Sequence, residues 1–441
     1  MERELSTALL EWKNRKDRMP LVLMGARQVG KTWLLKEFGQ REYQSVAYVN
    51  CDDNPLSAQL FLTDYNIDRI LLTVQAITGV KPEPETTLII FDELQEAPRG
   101  LHCLKYFQEK APEYHVAATG SLLGLSMRKG ESFPVGKVDI MRLYPMNFME
   151  FVRAIGGEQF ISIMSDPRME TIDILAPQLI DLLRQYYFVG GMPGVVSSFL
   201  TSKDLKDVRR LQRAILDAYR RDISKHADKS ESVRIGQVLD SFPSQIAKEN
   251  GKFMYGLIRT GARAAEYEVA IQWLIDAGII HKVSRVNEIG MPLKFYEDLS
   301  TFKLFMLDCG LLGCMTNASP VQMLIGDNPF IEFKGAFSEQ YVMQQLVAMG
   351  IVPFYWSNRS SPAEIDFVVE TEERVIPVEV KAERNVRSRS MRSYISLHPD
   401  KNLKGLRISM LPYKDQGWME NIPLYGIQHY FRNPSKTLSL A

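Results

Sequence analysis

The chain has 441 residues, in which 53 Lys and Arg balance 53 Asp and Glu, with 45% hydrophobic and 24% charged residues. This composition excludes a disordered, collagenous or coiled-coil chain, and the length predicts about three folded units at roughly 150 residues each. A net charge of zero argues against a wholly basic nucleic-acid coat protein, but it averages over local patches. Four cysteines, Cys51, Cys103, Cys309 and Cys314, contain no C-x-x-C pair. They predict neither a disulfide framework nor a zinc knuckle, and suit a reducing, cytoplasmic setting. The N-terminus MERELSTALLEWKNRKDRMP lacks an apolar core and no window reaches 18 apolar residues, so secretion and membrane spanning are not expected.

In chain order, PLVLMG from Pro20 is a continuous apolar run of the kind a strand buried on both faces requires. Similar runs recur at Val46 to Val49, Leu88 to Phe91 and Val116 to Ala118, spaced widely enough for crossover helices. A parallel sheet flanked by helices is expected over 1–150. Beyond Tyr144 helical periodicity takes over, with Leu175, Leu179, Leu182 and Leu183 on one face and Val208, Leu211, Ile215 and Tyr219 on another, predicting a helical lid over 151–230. Helices around Val238 to Phe242 and Tyr267 to Ala277, followed by IIHKVSRV, a turn and LKFYE, outline a winged helix within 231–325. The last unit, 326–441, opens with the helix FKGAFSEQYVMQQLVAMG and continues with the strand candidates VPFYWS, EIDFVVE and RVIPVEVKA.

Residues Gly25, Ala26, Arg27, Gln28, Val29, Gly30, Lys31 and Thr32 read GARQVGKT, a G-x-x-x-x-G-K-[ST] loop between an apolar strand and the helix that begins at Trp33. Glycines let backbone N–H groups turn toward a phosphate, Lys31 supplies a cation for it, and Thr32 offers a hydroxyl to Mg²⁺. LIIFDE then delivers Asp92 and Glu93 at the end of a buried strand. Asp92 is the candidate for the Mg²⁺ shell, and Glu93 for orienting or deprotonating the attacking water. HVAATGS places Thr119 and Ser121 at the end of the next strand, where either one could sense the γ-phosphate.

On these residues the first 230 or so positions resemble the AAA+ ATPases, in particular the bacterial and archaeal group whose ATPase domain precedes a helical lid and a winged helix. LYPMNFMEF at Leu143 to Phe151 and GGMP at Gly190 to Pro193 share in the resemblance. It implies ATP and Mg²⁺ as cofactors and places Pro193 near the nucleotide base; the other reading of Pro193 is a helix-breaking turn. Where many members carry Gly-Arg this chain has Gly136 and Lys137. No arginine finger is thereby assigned, and Arg128 is the remaining candidate.

In the last unit, antiparallel pairing of EIDFVVE with VIPVEVKA would bring Asp366 near Glu379, and alternation points Glu379 and Lys381 to one face. Two carboxylates could hold Mg²⁺ against a scissile phosphate, with lysine stabilising developing charge. The arrangement resembles the PD-(D/E)xK nuclease fold, with Glu339 on the preceding helix as the further acidic ligand. Three readings follow: a nuclease, a nuclease-like binding module, or a paired Glu/Lys ladder on a solvated face.

Basic residues concentrate in two places. Lys203 to Arg234 holds ten basic against six acidic residues, 10 − 6 = +4; Lys381 to Arg407 holds eight against two, 8 − 2 = +6. Such segments suit DNA or RNA phosphates or a solvated helix face, and the second adjoins Asp366, Glu379 and Lys381, where a phosphate backbone would pass in a nuclease. Arg259, Arg263, Lys282 and Arg285 pose the same choice in the winged helix. The expected fold class is thus α/β: a P-loop NTPase sheet with helical lid, winged helix and a restriction-endonuclease-like C-terminal domain. The expected function is an ATPase coupling Mg-ATP hydrolysis to a nuclease-like domain acting on nucleic acid. The alternatives are an ATP-regulated nuclease, or an ATP-dependent switch that assembles with itself or a protein partner.

Overall fold

The structure, a computed structural model, describes the chain except residues 54, 122–133, 135, 165, 167, 247–250, 325–330, 359–361, 383–387 and 433–441. Contacts divide it into two compact units: Met1–Tyr144 with Asp276–Ile279, and Pro145–Ile275 with Ile280–Ala441.

The first unit is built on strands β1 (Leu21–Met24), β2 (Ser45–Asn50), β3 (Thr87–Asp92), β4 (His115–Gly120) and β5 (Asp139–Arg142). Their order is β2-β3-β4-β1-β5, with every pairing parallel. The four apolar runs became β1 to β4, and β1, β3 and β4 are buried along their whole length, as expected of strands covered by helices on both faces. β5 escaped the sequence reading because DIMR is short and only alternately half-buried. Val22, Val49, Phe91, Ala118 and Phe107 share one core cluster, so the sheet and the Gly100–Lys110 helix form a firm base under the loops at the carboxyl edge.

The second unit begins with helices, including Ala176–Val189, Pro193–Ser202, Leu205–His226 and Lys229–Ile246, and Leu179, Leu183, Val208, Ile215 and Tyr219 of the expected apolar faces are buried. It then forms an eight-stranded sheet from β6 (Ile280–Val286), β7 (Glu297–Met306), β8 (Phe354–Ser357), β9 (Glu364–Glu370), β10 (Val375–Lys381), β11 (Gly405–Ser409), β12 (Lys414–Asp415) and β13 (Met419–Pro423). The order is β12-β13-β11-β10-β9-β8-β6-β7. Of the hairpin expected to be a wing, IIHKVSRV became β6, but LKFYE forms a short 3-10 turn at Leu293–Tyr296, where Leu293 is buried, and the strand that pairs with β6 is β7, which follows it. This hairpin is part of the C-terminal sheet: β6 lies parallel to β8, with Arg285 opposite Tyr355 and Val286 opposite Trp356. Its physical reason is burial, since Val283, Val286 and Met306 are covered and an edge this apolar needs a neighbour. The helix Ile331–Ala348 is stopped by Gly350 at φ +78°, as its position after the last apolar turn predicted.

One helix organises this unit. Gln340 accepts from Met306 N–H at 3.0 Å and donates to its carbonyl at 2.7 Å, Gln344 accepts from Cys309 N–H at 3.0 Å, and Gln345 accepts from Phe148 N–H at 2.9 Å. A fully buried carboxylate, Asp308, caps the Cys309–Met315 helix at Leu311 N–H (2.9 Å) and accepts Gly191 N–H (2.6 Å). Gly190 and Gly191 are glycines for room: a Cβ at Gly191 would lie 2.0 Å from the Met146 carbonyl oxygen and one at Gly190 would lie 2.2 Å from Asp308. All four cysteines are buried free thiols. No helix among the described residues is long and apolar enough to cross a membrane.

Candidate functional site

The phosphate-type loop connects β1 to the Lys31–Glu42 helix. Gly30 precedes that helix at φ +96° with no side-chain cap, Gln28 has φ 68° and Gly25 has φ +151°. The first helical N–H groups have no partner within the helix and carry its positive dipole end, so this turn favours an anion. A side chain at Gly25 would meet the Leu143 carbonyl oxygen at 2.3 Å. Arg3, which belongs to no motif, donates to the carbonyls of Val29 (2.9 Å) and Tyr144 (2.7 Å) and is itself buried, so it braces the loop from outside.

Lys31 is 5% exposed, and its ammonium donates to the carbonyls of Gly25 and Ala26, both at 2.9 Å. Burial favours its neutral form and lowers its pKa to about 8, against the opposing pull of Glu93 and Asp92. Asp92, at the end of β3, accepts three hydroxyls: Thr32 at 2.9 and 3.0 Å to its two oxygens, Tyr48 at 2.7 Å, and Thr119 in a short bond. Glu93 follows in the left-handed region at φ 51°, a conformation that costs a non-glycine residue of order 1 kcal/mol and recurs at active sites. Its carboxylate accepts from Ser121 Oγ at 2.6 and 2.8 Å, from Ser121 N–H at 3.1 Å and from Gln95 at 2.6 Å, while its N–H donates to Thr119 Oγ1 at 3.1 Å. Burial alone would raise the Glu93 pKa, but the Lys31 charge and the Gln95 and Ser121 hydrogen bonds outweigh it and hold the carboxyl below its usual range.

Lys31, Thr32, Asp92, Glu93, Thr119 and Ser121 thus share one network. Thr119 and Ser121 divide the labour left open above: Thr119 holds Asp92 and the Glu93 backbone, and Ser121 holds the Glu93 side chain. The Thr32 hydroxyl against a strand-end carboxylate is the oxygen pair an octahedral Mg²⁺ would take beside phosphate oxygens, and the residues fit that ion. Trp33 lies outward on the helix, 48% exposed. Tyr48, beneath the cation of Lys36 at 3.3 Å, had no motif to announce it; a tyrosine on the strand neighbouring LIIFDE was the available signal. Pro193 opens the Pro193–Ser202 helix in the second unit. Lys137, the departure from Gly-Arg, pairs with Glu109 at 3.2 Å, and Arg128 lies outside the described residues.

In the second unit, β9 and β10 run antiparallel with Phe367 opposite Val378, which sets Asp366 beside Glu379. Asp366 accepts the Val380 N–H at 2.7 Å, and Glu379 accepts from Lys381 at 2.9 Å. A residue the sequence reading did not single out lies among them. Lys303 of β7, 2% exposed, pairs with Glu364 at 2.5 Å and Glu339 at 3.3 Å. Burial, opposed by Lys303 and reinforced by Asp366 and Glu364, pushes the Glu339 carboxyl up to about 7. Burial likewise raises Glu379 despite the Lys381 charge.

The Mg²⁺ that a nuclease would need here does not fit these partners. Glu339 and Glu364 are directed at Lys303, Asp366 at a backbone N–H and Glu379 at Lys381. Among the described residues no group of three or more His, Cys, Asp or Glu is placed to hold a metal.

Several of the basic residues are committed within the fold. Arg209 donates to the carbonyls of Gly310 and Ala318, Arg220 pairs with Asp240, Arg259 with Glu266 and Arg285 with Asp298. Lys401 pairs with Glu288, Lys404 with Asp415, and buried Arg407 donates to Asn421. Arg389 and Arg392 remain exposed on the Arg389–Leu397 helix, with Arg392 over the Trp418 ring. Arg384 and Arg387 of the second basic segment lie outside the described residues.

Residues 17–152 match the family described as AAA domain. Residues 180–322 match a domain of unknown function (DUF8612) and residues 334–426 another (DUF4143). No curated protein matches the chain. Among solved structures, the Aeropyrum pernix ORC1 protein in complex with DNA is 12% identical over 73% of this chain and 93% of that one, with a TM-score of 0.25, a likeness that decides nothing here.

Proposed function

We propose that the AAA domain over residues 17–152 binds and hydrolyses Mg-ATP and drives the second unit with the energy released. One observation carries the reading: Asp92 and Glu93 are held separately, the first by Thr32, Tyr48 and Thr119, the second by Ser121 and Gln95. Two adjacent carboxylates with different partners suit two different roles. The loop N–H groups and Lys31 would cradle the phosphates, Lys31 leaving the carbonyls of Gly25 and Ala26 to do so. Thr32 and Asp92 would hold Mg²⁺, which supplies positive charge to the phosphates when bound. Glu93, kept ionised by Lys31 and its hydrogen bonds, would orient the attacking water and take its proton. Ser121 and Thr119 would register loss of the γ-phosphate through their bonds to Glu93 and Asp92.

Calorimetry with ATP and Mg²⁺ tests this: wild type binds, and Lys31→Ala does not. Unchanged affinity in Lys31→Ala would overturn the reading. Negligible turnover combined with ATP-dependent oligomerisation would replace hydrolysis by an assembly switch.

For the second unit, we propose that the nuclease-like constellation of Glu339, Asp366, Glu379 and Lys381, with Arg389 and Arg392 nearby in sequence, engages nucleic acid under control of the ATPase. The support is that β9 and β10 set Asp366, Glu379 and Lys381 on neighbouring strands. Binding of single- and double-stranded DNA and RNA, measured with and without ATP, tests it. Loss of binding in Arg389→Ala/Arg392→Ala supports the reading, and no binding to any of the four overturns it.

A further inference from the structure

Two carboxylates of the second unit, Glu339 and Glu364, are arranged around a lysine. Lys303 enters from β7, the outermost strand of the sheet, and its ammonium reaches Glu364 of β9 at 2.5 Å and Glu339 of the Ile331–Ala348 helix at 3.3 Å. Its stem has its own berth: a Cβ on Gly251, which sits at φ +53°, would lie 3.3 Å from Lys303 Cδ and Cε. The ammonium also lies 5.1 Å from the centre of the Tyr355 ring. A lysine 2% exposed remains charged in such a place only where carboxylates surround it. Asp366 shares the field of this group, lying two residues from Glu364 on the same face of β9.

We infer that the Lys303 ammonium stands where a nuclease of this arrangement would hold its divalent cation, so that the C-terminal acidic cluster is neutralised internally and binds no divalent metal. An ammonium supplies one positive charge and hydrogen bonds but no open coordination position. It can neither lower the pKa of a bound water nor polarise a phosphoryl oxygen as a Lewis acid. A ligand engaged at this cluster would therefore be held without metal-dependent cleavage. The feature that points the other way is Glu379 Oε2, buried with no hydrogen-bond partner among the described residues. It is a single oxygen, and its neighbour Asp366 already accepts the Val380 N–H, which leaves an ion there short of ligands.

The test uses the full chain free of nucleotide, so that its outcome is separate from ATP binding by the first unit. Mn²⁺ binding is followed by electron paramagnetic resonance in wild type, Asp366→Asn, Lys303→Met and Lys303→Met/Asp366→Asn. Wild type and Asp366→Asn are expected to bind Mn²⁺ identically. Lys303→Met, which keeps the stem and removes the charge, is expected to gain one Mn²⁺ site that the double variant loses, with a thermal midpoint that rises on adding Mn²⁺. Mn²⁺ held by wild type and lost in Asp366→Asn would overturn the inference, as would a folded Lys303→Met that gains no site. Should Lys303→Met not fold, the wild-type and Asp366→Asn pair decides alone.

Discussion

Lys31 carries a pH signature with two opposite signs. Its folded pKa of about 8 lies below the ordinary lysine value because burial disfavours the ammonium. Above about pH 8 the nucleotide-free protein loses that charge, and ATP affinity measured by calorimetry is expected to weaken as pH rises. Stability follows the reverse course: between about 8 and the unfolded value the denatured chain binds more protons, so this group's contribution to stability rises with pH. Denaturant midpoints taken in that window without nucleotide check the second sign. Glu93→Gln is expected to keep ATP binding and to slow turnover roughly 10²–10⁴-fold, the usual loss when a general base is removed. A phosphate-release assay reads it directly. Tyr48→Phe removes one of three donors to Asp92 and leaves the carboxylate partnered, so a loss of only about 1 kcal/mol in Mg-ATP affinity is expected.

The turns decide more than the regular segments they join. Gly25→Ala would force a Cβ against the Leu143 carbonyl oxygen and strain a backbone at φ +151°, so the loop must shift and ATP binding should be lost while β1 to β4 stay folded. Nucleotide calorimetry alongside circular dichroism separates the two effects. Asp308 is the corresponding element-level control in the second unit. It caps the Cys309–Met315 helix and clamps the Gly190–Gly191 turn, and Asp308→Ala is expected to cost about 3 kcal/mol, from one lost cap and one buried N–H left unpaired. Chemical denaturation measures that figure. The helix Ile331–Ala348 has almost no amphipathic signature in its sequence, because Gln340, Gln344 and Gln345 face inward to bond backbone groups of other segments. Polar residues at core positions blur the periodicity from which an inward face would otherwise be read.

At the scale of the molecule, the wing-like hairpin and the last domain share a sheet. A fragment beginning at residue 326, where the sequence suggests a boundary, would strip β6 and β7 from β8 and remove Lys303 from Glu339 and Glu364. It is expected to aggregate or stay unfolded, and its solubility and circular dichroism compared with the full chain check this. Net neutrality also takes on a different meaning here. Within the two basic segments Arg209, Arg210, Arg220, Lys381, Lys401 and Lys404 meet carboxylates or carbonyls of the fold, so part of the neutrality is internal pairing.

The phosphate loop, the paired carboxylates that end LIIFDE and the positions of the first four strands were legible in the one-dimensional chain, because each depends on neighbours within a few residues. A glycine turn before a helix, a strand that ends in Asp-Glu and a run buried on both faces all leave local marks. Arg3, Tyr48 and Lys303 left none. Arg3 reaches Val29 and Tyr144, Tyr48 reaches Asp92, and Lys303 reaches Glu339 and Glu364, across 26 to 141 residues of chain. Their roles arise from contacts that exist only when distant segments pack, and the same packing sets a lysine against Glu339 and Glu364.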